Sequence, residues 1–375
     1  MDRGRVVRAA ATAIAGLLMV ACSGPGPADE PATGAGGTRG TPAGGGSTLD
    51  DRAAAVEEVA AANVAAGIAP GMVVVLADRT GSRTLALGVS DRESGTPMRP
   101  AGLFRIASIT KPMVAATVLQ LVERHRLALD DTVERWRPGL LAHGDQISLG
   151  QLLSHQSGLR DVNERRLLGR HGVTEEDFVR QVARAPLEFP PGDQLVYRNV
   201  NYVVLGLVVE EATGRPLEQV VQRLLFDRVG MPSAQFVREG VVPQGMVHGY
   251  EAGSDVTDLD VYWGDAAGGV AADARDVSRF LRSLFEGGLL PPAQLDAMTD
   301  VREDNLDLWT GYGLGIARTQ TDCGEAYGHG GRFPGYGGEA WADPVTSRSV
   351  VVLANSADRS VFGTFDAVIE AALCG

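Results

Sequence analysis

The sequence predicts an α/β fold: an antiparallel sheet built from the N- and C-terminal segments, flanked by helices, with a mostly helical lobe inserted in the middle. Three observations predict it. Near the start, "GMVVVLAD" and "SRTLALGVSD" are short apolar runs joined by a turn around Gly81, and they read as two strands. Towards the end, "GYGLGIAR", "EAYGHGG", "YGGEAWAD" and "SRSVVVLANS" are short runs broken by Gly, Asp-Pro and Ser, the pattern of consecutive antiparallel strands. Between these groups, from Ser108 to about Gly288, apolar residues mostly recur at helical spacing.

The elements follow in order. Residues 1–22 read as an export signal. Arg3, Arg5 and Arg8 form a basic start, and the apolar run Ala9 to Ala21 is too short for a permanent membrane span. Cys22 follows at once, which resembles a bacterial lipoprotein cleavage site with Met19 in place of the usual leucine. A lipid on Cys22 would anchor the chain to the outer side of the cell membrane; without it the chain would be secreted. Residues 23–48 are rich in Gly, Pro, Ala, Thr and Ser, with almost nothing apolar to bury, and read as a flexible linker. The folded domain is expected over residues 49–375, with a sheet lobe at about 49–107 and 289–375 and a helical lobe at about 108–288.

Within the domain, a helix is expected from Asp50 to Ala66, stopped by Gly67. "SITKPMVAATVLQLVERH" reads as a helix with Pro112 in its first turn, where a missing N–H does little harm. Thr174 and Asp273 are expected N-caps of "TEEDFVRQVAR" and "DARDVSRFLRSLF". "FGTFDAVIEAAL" closes the chain as an amphipathic helix.

Composition removes several function classes. The net charge is −13 and is widely spread, with no basic stripe, so nucleic acid is not an expected partner. No histidine pair has metal-ligand spacing and no Gly-x-Ser-x-Gly elbow occurs, which disfavours a zinc hydrolase and an α/β-hydrolase; neither metal nor cofactor is expected. His125, His143, His155, His171 and His248 read as ordinary polar residues. Of the three cysteines, lipidation of Cys22 would leave Cys323 and Cys374 as an even pair. An exported chain can hold such a pair as a disulfide, the alternative being two buried thiols.

The most informative residue is Lys111, the only lysine in the chain; the other 33 of its 34 Lys plus Arg are arginine. It lies one helical turn beyond Ser108, so the two side chains share a face. A serine hydroxyl is a weak nucleophile until a base takes its proton. Arginine stays protonated and cannot be that base, whereas a lysine with a depressed pKa can. A single lysine is explained if its proton must move.

Two further stretches complete the pattern. "PPGDQLVYRNVNYVVLGLVVEEATG" supplies Tyr197 and Asn199, and "YGHGGRFPGYGG" supplies His329 and Gly331. Taken with "LFRIASITKP", "LLSHQSGL" and "GYGLG", they resemble the serine β-lactamase and D-alanyl-D-alanine carboxypeptidase family from about Leu49 to the end. That family carries Ser-x-x-Lys, Tyr-x-Asn and a Lys-Thr-Gly or His-x-Gly strand. The resemblance implies a β-lactamase/transpeptidase-like fold and an acyl-enzyme on Ser108. Lys111 and Tyr197 would share the proton traffic, and Asn199 would orient Lys111 and bond the substrate amide. His329 would sit across the cleft to relay the proton or hold a carboxylate. Gly331 and Arg332 would bind substrate, with the N–H groups of Ser108 and Arg332 as the oxyanion hole. The exported DD-carboxypeptidase branch looks most similar, and it implies a Cys323–Cys374 bridge.

The sequence departs from the carboxypeptidase pattern at Gly330, where a threonine hydroxyl usually holds the substrate carboxylate. Arg332, two residues on, shares Gly330's side of a strand and is expected to take the carboxylate instead. Arg198 is bulkier than the usual small residue and is expected to narrow the cleft. The expected function is an exported DD-carboxypeptidase or related DD-peptidase, with peptidoglycan stem peptides or β-lactams as substrates. A β-lactamase, an esterase and a non-catalytic penicillin-binding lipoprotein are the alternatives.

Overall fold

The computed structural model describes residues 47–164, 167, 171–259, 265–303 and 309–375. The expected leader, Cys22 and all of the linker except residues 47 and 48 lie outside the described residues.

Helix α1 spans Leu49–Ala65. It starts at Leu49, one residue before the expected start, because Thr48 caps it: the Thr48 hydroxyl accepts from the Asp51 N–H while the Asp51 carboxylate accepts from the Thr48 N–H. Strands β1 (Gly71–Asp78), β2 (Gly81–Asp91) and β3 (Thr96–Pro97) follow. Four longer helices come next: α2 (Thr110–Glu123), α3 (Asn199–Thr213), α4 (Ala274–Phe285) and, at the end of the chain, α5 (Arg359–Leu373). Between α4 and α5 lie β4 (Arg302–Glu303), β5 (Gly311–Tyr312), β6 (Ala317–Thr321), β7 (Gly324–Phe333), β8 (Tyr336–Asp343) and β9 (Arg348–Ala354).

Among the described residues these strands form one nine-stranded sheet in the order β3-β2-β1-β9-β8-β7-β6-β5-β4, antiparallel throughout. The two ends of the chain meet where β1 pairs with β9, with Val74 opposite Val352. The apolar run of β1 has no polar face because both of its faces are covered. Met72, Val74 and Leu76 pack with Val56, Val368 and Leu373 of α1 and α5, whereas Val73 and Val75 belong to the core that holds Phe280 and Leu284 of α4. Each such side chain stabilises the fold by about 1.5–3 kcal/mol relative to exposure.

Helix α4 therefore packs on β1, β8 and β9, although its place in the chain suggested the helical lobe. Its apolar stripe announces a buried face without specifying the partner layer. Asp273 caps it by accepting from the Asp276 N–H, and Thr174 caps Glu175–Arg180 in the same manner. Helix α2 is buried on every side from Thr110 to Leu121, as a central core helix must be. A small sheet pairs Phe104–Arg105 with Val270–Ala272 and the latter with Gln235–Phe236. Cys323 and Cys374 are bonded to each other, with Cα atoms 5.3 Å apart, and tie the turn between β6 and β7 to the end of α5. No helix among the described residues is long and apolar enough to cross a membrane.

Candidate active site

Ser108 sits in a tight turn, Ala107–Ile109, that runs directly into α2. The Ile106 N–H donates to the Val270 carbonyl at 3.0 Å, continuing the small sheet up to the serine. Ala107 then adopts φ 48°, a left-handed conformation that costs on the order of 1–3 kcal/mol in a residue other than glycine. The Ile109 N–H bonds back to the Ile106 carbonyl, so the Ser108 N–H lies in a first turn where no intrahelical acceptor exists.

Lys111 is fully buried. Its Nζ lies 2.9 Å from Ser108 Oγ, 2.8 Å from Asn199 Oδ1 and 2.6 Å from the Ala267 carbonyl. An ammonium donates to all three; a neutral amine donates to two and turns its lone pair to the serine hydroxyl. Burial pulls its pKa down to about 7, with the Glu164 carboxylate acting the other way. The rings of Tyr197 and Tyr202 lie 4.9 and 5.5 Å from Nζ and give the charged form cation–π contacts.

Tyr197 lies two residues before Asn199, the first residue of α3. Its hydroxyl is buried and stands near enough to Ser108 for the serine to ease its ionisation, yet it completes no hydrogen bond of good geometry. Burial drives its pKa far above that of an ordinary phenol. A buried polar atom left without a partner is rare enough to need a reason, and a reacting group is one. Asn199 links the lysine to a residue that sequence reasoning missed: its Nδ2 donates to Glu164 Oε1 at 2.7 Å. Burial raises the Glu164 pKa, while the Asn199 hydrogen bond and the Lys111 charge oppose that rise. Nothing in the sequence near Glu164 marks it; it reaches the site from a loop.

The expected role of His329 needs correction. The ring is buried, and both nitrogens are engaged. Nδ1 meets the Gly330 carbonyl and so carries the proton, which leaves Nε2 to accept from the Tyr312 hydroxyl at 3.0 Å. Burial, then the Lys111 charge, press its pKa down to about 3. A neutral ring held in this way behind Tyr197 has no spare atom to relay a proton or hold a carboxylate.

Gly331, expected to bind substrate, lies where β7 passes the serine turn. A Cβ there would stand 2.3 Å from the Ile106 carbonyl, so its missing side chain lets β7 approach the serine turn. Phe333 and Tyr336 flank a two-residue turn and form its closing pair. By antiparallel alternation the N–H of Arg332 then faces away from β8, towards the open edge beside Ser108. The Gly330 side-chain space is filled by its cross-strand neighbour: a Cβ would lie 2.5 Å from Glu339 Oε1. The Arg332 guanidinium lies 3.9 Å from the Glu251 carboxylate and 5.9 Å from the Phe362 ring centroid, about half exposed. Arg198 is held against Glu188 at 3.0 Å and Asp161 at 3.9 Å and is not among the residues that line the cleft, so it does not narrow it as expected.

The cleft in front of these groups has a volume of about 790 Å³ and is lined by Asp161, Glu164, Tyr197, Asn199, Glu251 and Arg332, with Phe333 and Pro334 at one end. Three carboxyl groups thus face one guanidinium. A second cavity of about 540 Å³ beside Arg215 and Phe236 contains none of the reacting groups. Among the described residues no three His, Cys, Asp or Glu side chains are grouped to hold a metal ion.

Comparison with known proteins agrees with this architecture. The family model described as Beta-lactamase matches residues 56–373. The chain is 35% identical to Esterase EstB of Burkholderia gladioli, over 74% of this chain and 83% of that protein. It is 26% identical to Penicillin-binding protein 4* of Bacillus subtilis, over 67% of this chain and 60% of that one. Among solved structures, a D-stereospecific amidohydrolase from Streptomyces sp. superposes with a TM-score of 0.76 at 29% identity, covering 86% of this chain and 98% of that one.

Proposed function

Because this chain belongs to the beta-lactamase family and is a serine hydrolase, we propose that it cleaves amides or esters whose acyl part carries a free amino group, through an acyl-enzyme on Ser108. The observation that carries this reading is the charge of the cleft lining: Asp161, Glu164 and Glu251 against Arg332, with Arg198 beside Asp161 from outside the lining. At about 4 Å and an effective dielectric near 20, one carboxylate attracts an ammonium by about 4 kcal/mol before desolvation. The same field repels a terminal carboxylate. Similarity to a D-stereospecific amidohydrolase supports D-amino-acid amides as the first substrates to try.

The chemistry follows from the geometry. Neutral Lys111 takes the Ser108 proton as Oγ bonds to the substrate carbonyl carbon. The N–H groups of Ser108 and Arg332 hold the developing oxyanion, an effect often worth about 3–4 kcal/mol. Collapse breaks the bond to the leaving amine or alcohol, which takes a proton from the Lys111–Tyr197 pair. Water then enters and gives a proton to that pair as its oxygen bonds to the acyl carbon; collapse breaks the Ser108 Oγ–acyl bond, the pair returns the proton to Oγ, and the acid leaves. Lys111 is the acylation base in this reading, since burial leaves the Tyr197 phenol protonated.

One observation favours the DD-carboxypeptidase reading: half-exposed Arg332 on the cleft rim, where it is able to meet a carboxylate. The two separate in one assay. D-phenylalanine p-nitroanilide, its N-acetyl form, a D-Ala-D-Ala peptide, p-nitrophenyl acetate and a chromogenic β-lactam are compared, with Ser108→Ala as control. The proposal expects kcat/KM at least about tenfold higher for the free amine than for its N-acetyl form, a gap that Glu164→Gln narrows. Preferred turnover of the D-Ala-D-Ala peptide, lost in Arg332→Ala, would replace it with the carboxypeptidase.

We also propose export, with a lipid on Cys22, from the basic start and apolar run that precede it. The mass of the mature N-terminal peptide from the native host tests this; an unmodified Cys22 in a chain that still begins at Met1 contradicts it.

A further inference from the structure

We propose that His155 is a positioning residue for Tyr197, holding the phenol beside Ser108 from beneath. Its own two acceptors bracket the tyrosine. The Val196 N–H donates to the His155 carbonyl at 2.9 Å, and the Arg198 N–H donates to its Nδ1 at 3.3 Å. The residues on either side of Tyr197 are therefore tied to one histidine. Its ring also forms the floor: the centroids of His155 and Tyr197 are 4.3 Å apart, with Tyr312 at 4.9 Å and Tyr202 at 5.3 Å.

The anchor is itself fixed. His155 is fully buried and follows the short helix Leu149–Leu153. It adopts φ 56°, a left-handed conformation unusual for histidine and kept only where surroundings impose it. Nδ1 accepts a second hydrogen bond from Asn201 Nδ2 at 3.1 Å, and Asn201 Oδ1 accepts from Ser157 Oγ at 2.6 Å. Asn201 belongs to α3, so the loop, the Tyr197 turn and the helix that carries Asn199 are joined at one nitrogen.

This arrangement dictates the proton's place. A backbone N–H can only donate, so Nδ1 must carry a lone pair and the proton sits on Nε2. A second proton would require Nδ1–H and would break both bonds. Burial, first, and the neighbouring Lys111 charge oppose that protonation and hold the pKa well below that of an ordinary imidazole, so the ring stays neutral. A misplacement of about 1 Å in a reacting group can cost about a hundredfold in rate, which is what the bracket prevents.

The test compares His155→Phe with His155→Asn in the full chain. Phenylalanine keeps a ring and deletes Nδ1; asparagine tolerates the left-handed backbone and returns an acceptor near the same place. Steady-state turnover of p-nitrophenyl acetate and the rate of Ser108 labelling by a fluorophosphonate are both measured. We expect H155F to lose about 10- to 100-fold in kcat and in labelling rate with KM within about twofold, and H155N to recover most of that loss. A folded H155F with wild-type kcat overturns the proposal, as does a folded H155N no better than H155F. If H155F does not fold, nitrogen NMR of the histidines in the wild-type chain decides: a neutral Nε2–H ring from pH 5 to 8 supports it, and an Nδ1–H or charged ring overturns it. A wild-type chain that fluorophosphonate does not label would instead strike the serine-hydrolase reading, and the NMR result would stand apart from it.

Discussion

Replacing Lys111 with methionine should stabilise the protein increasingly as pH falls from 10 to 7. Free lysine titrates at 10.5, whereas buried Lys111 titrates at about 7. The gap arises because burial disfavours the ammonium, and each unit is worth about 1.4 kcal/mol, so the full cost is about 5 kcal/mol. The sign follows from linkage. Above pH 10.5 the amine is neutral in both states and costs nothing. Between 10.5 and 7 the unfolded chain binds a proton that the folded chain refuses, so stability decreases as pH is lowered through that range. Below 7 both states are charged and the penalty is constant. Methionine carries no charge at any pH. It leaves the Asn199 and Ala267 oxygens without their donor, a loss that is the same across the range. The informative quantity is therefore the difference between the two proteins as a function of pH. Urea unfolding followed by circular dichroism should show that difference shifting by about 3 kcal/mol in favour of Lys111→Met between pH 9.5 and 7. A difference that stays flat would mean that Lys111 is charged without cost, and the case for it as a base would fail.

Two further predictions follow from neighbouring contacts. Glu164→Gln keeps an acceptor for the Asn199 amide but removes the charge that raises the Lys111 pKa, so the acid limb of kcat/KM should move to lower pH; an upward shift would contradict the assignment. Breaking the Cys323–Cys374 bridge with paired serines should cost about 4 kcal/mol on a chain-entropy estimate for a 51-residue separation, seen as a lower denaturation midpoint with kcat unchanged. An unchanged midpoint would mean that the bridge does not constrain the unfolded chain.

Local chemistry made some of this molecule legible in its sequence. Ser108 and Lys111 were paired by helical spacing alone, and the caps at Thr174 and Asp273 formed where short polar side chains precede apolar periodicity. That both ends of the chain share one sheet was readable from strands at either terminus with helices between them; that β1 and β9 are the strands that meet was not. Features that depend on long-range contact were not readable. Glu164 lies on a loop with no periodicity, and only the folded chain brings it to Asn199. His155 looked ordinary because its meaning comes from Val196 and Arg198, residues distant in sequence. His329 was placed in the correct neighbourhood by its motif, yet its chemistry is set by Tyr312, which the motif does not include. The pairing of Phe104–Arg105 with Val270–Ala272 involves strands too short to announce themselves, although it positions the nucleophile.

The claim on which the mechanism depends is that the Lys111 amine, neutral near pH 7, takes the proton of Ser108. The direct measurement is the pre-steady-state rate of acyl transfer from p-nitrophenyl acetate to the enzyme between pH 5 and 9, with the acylated peptide identified by mass spectrometry. The prediction is an adduct on Ser108 whose rate of formation rises through an apparent pKa near 7. An adduct elsewhere, or a Ser108 rate indifferent to pH across that range, would contradict it.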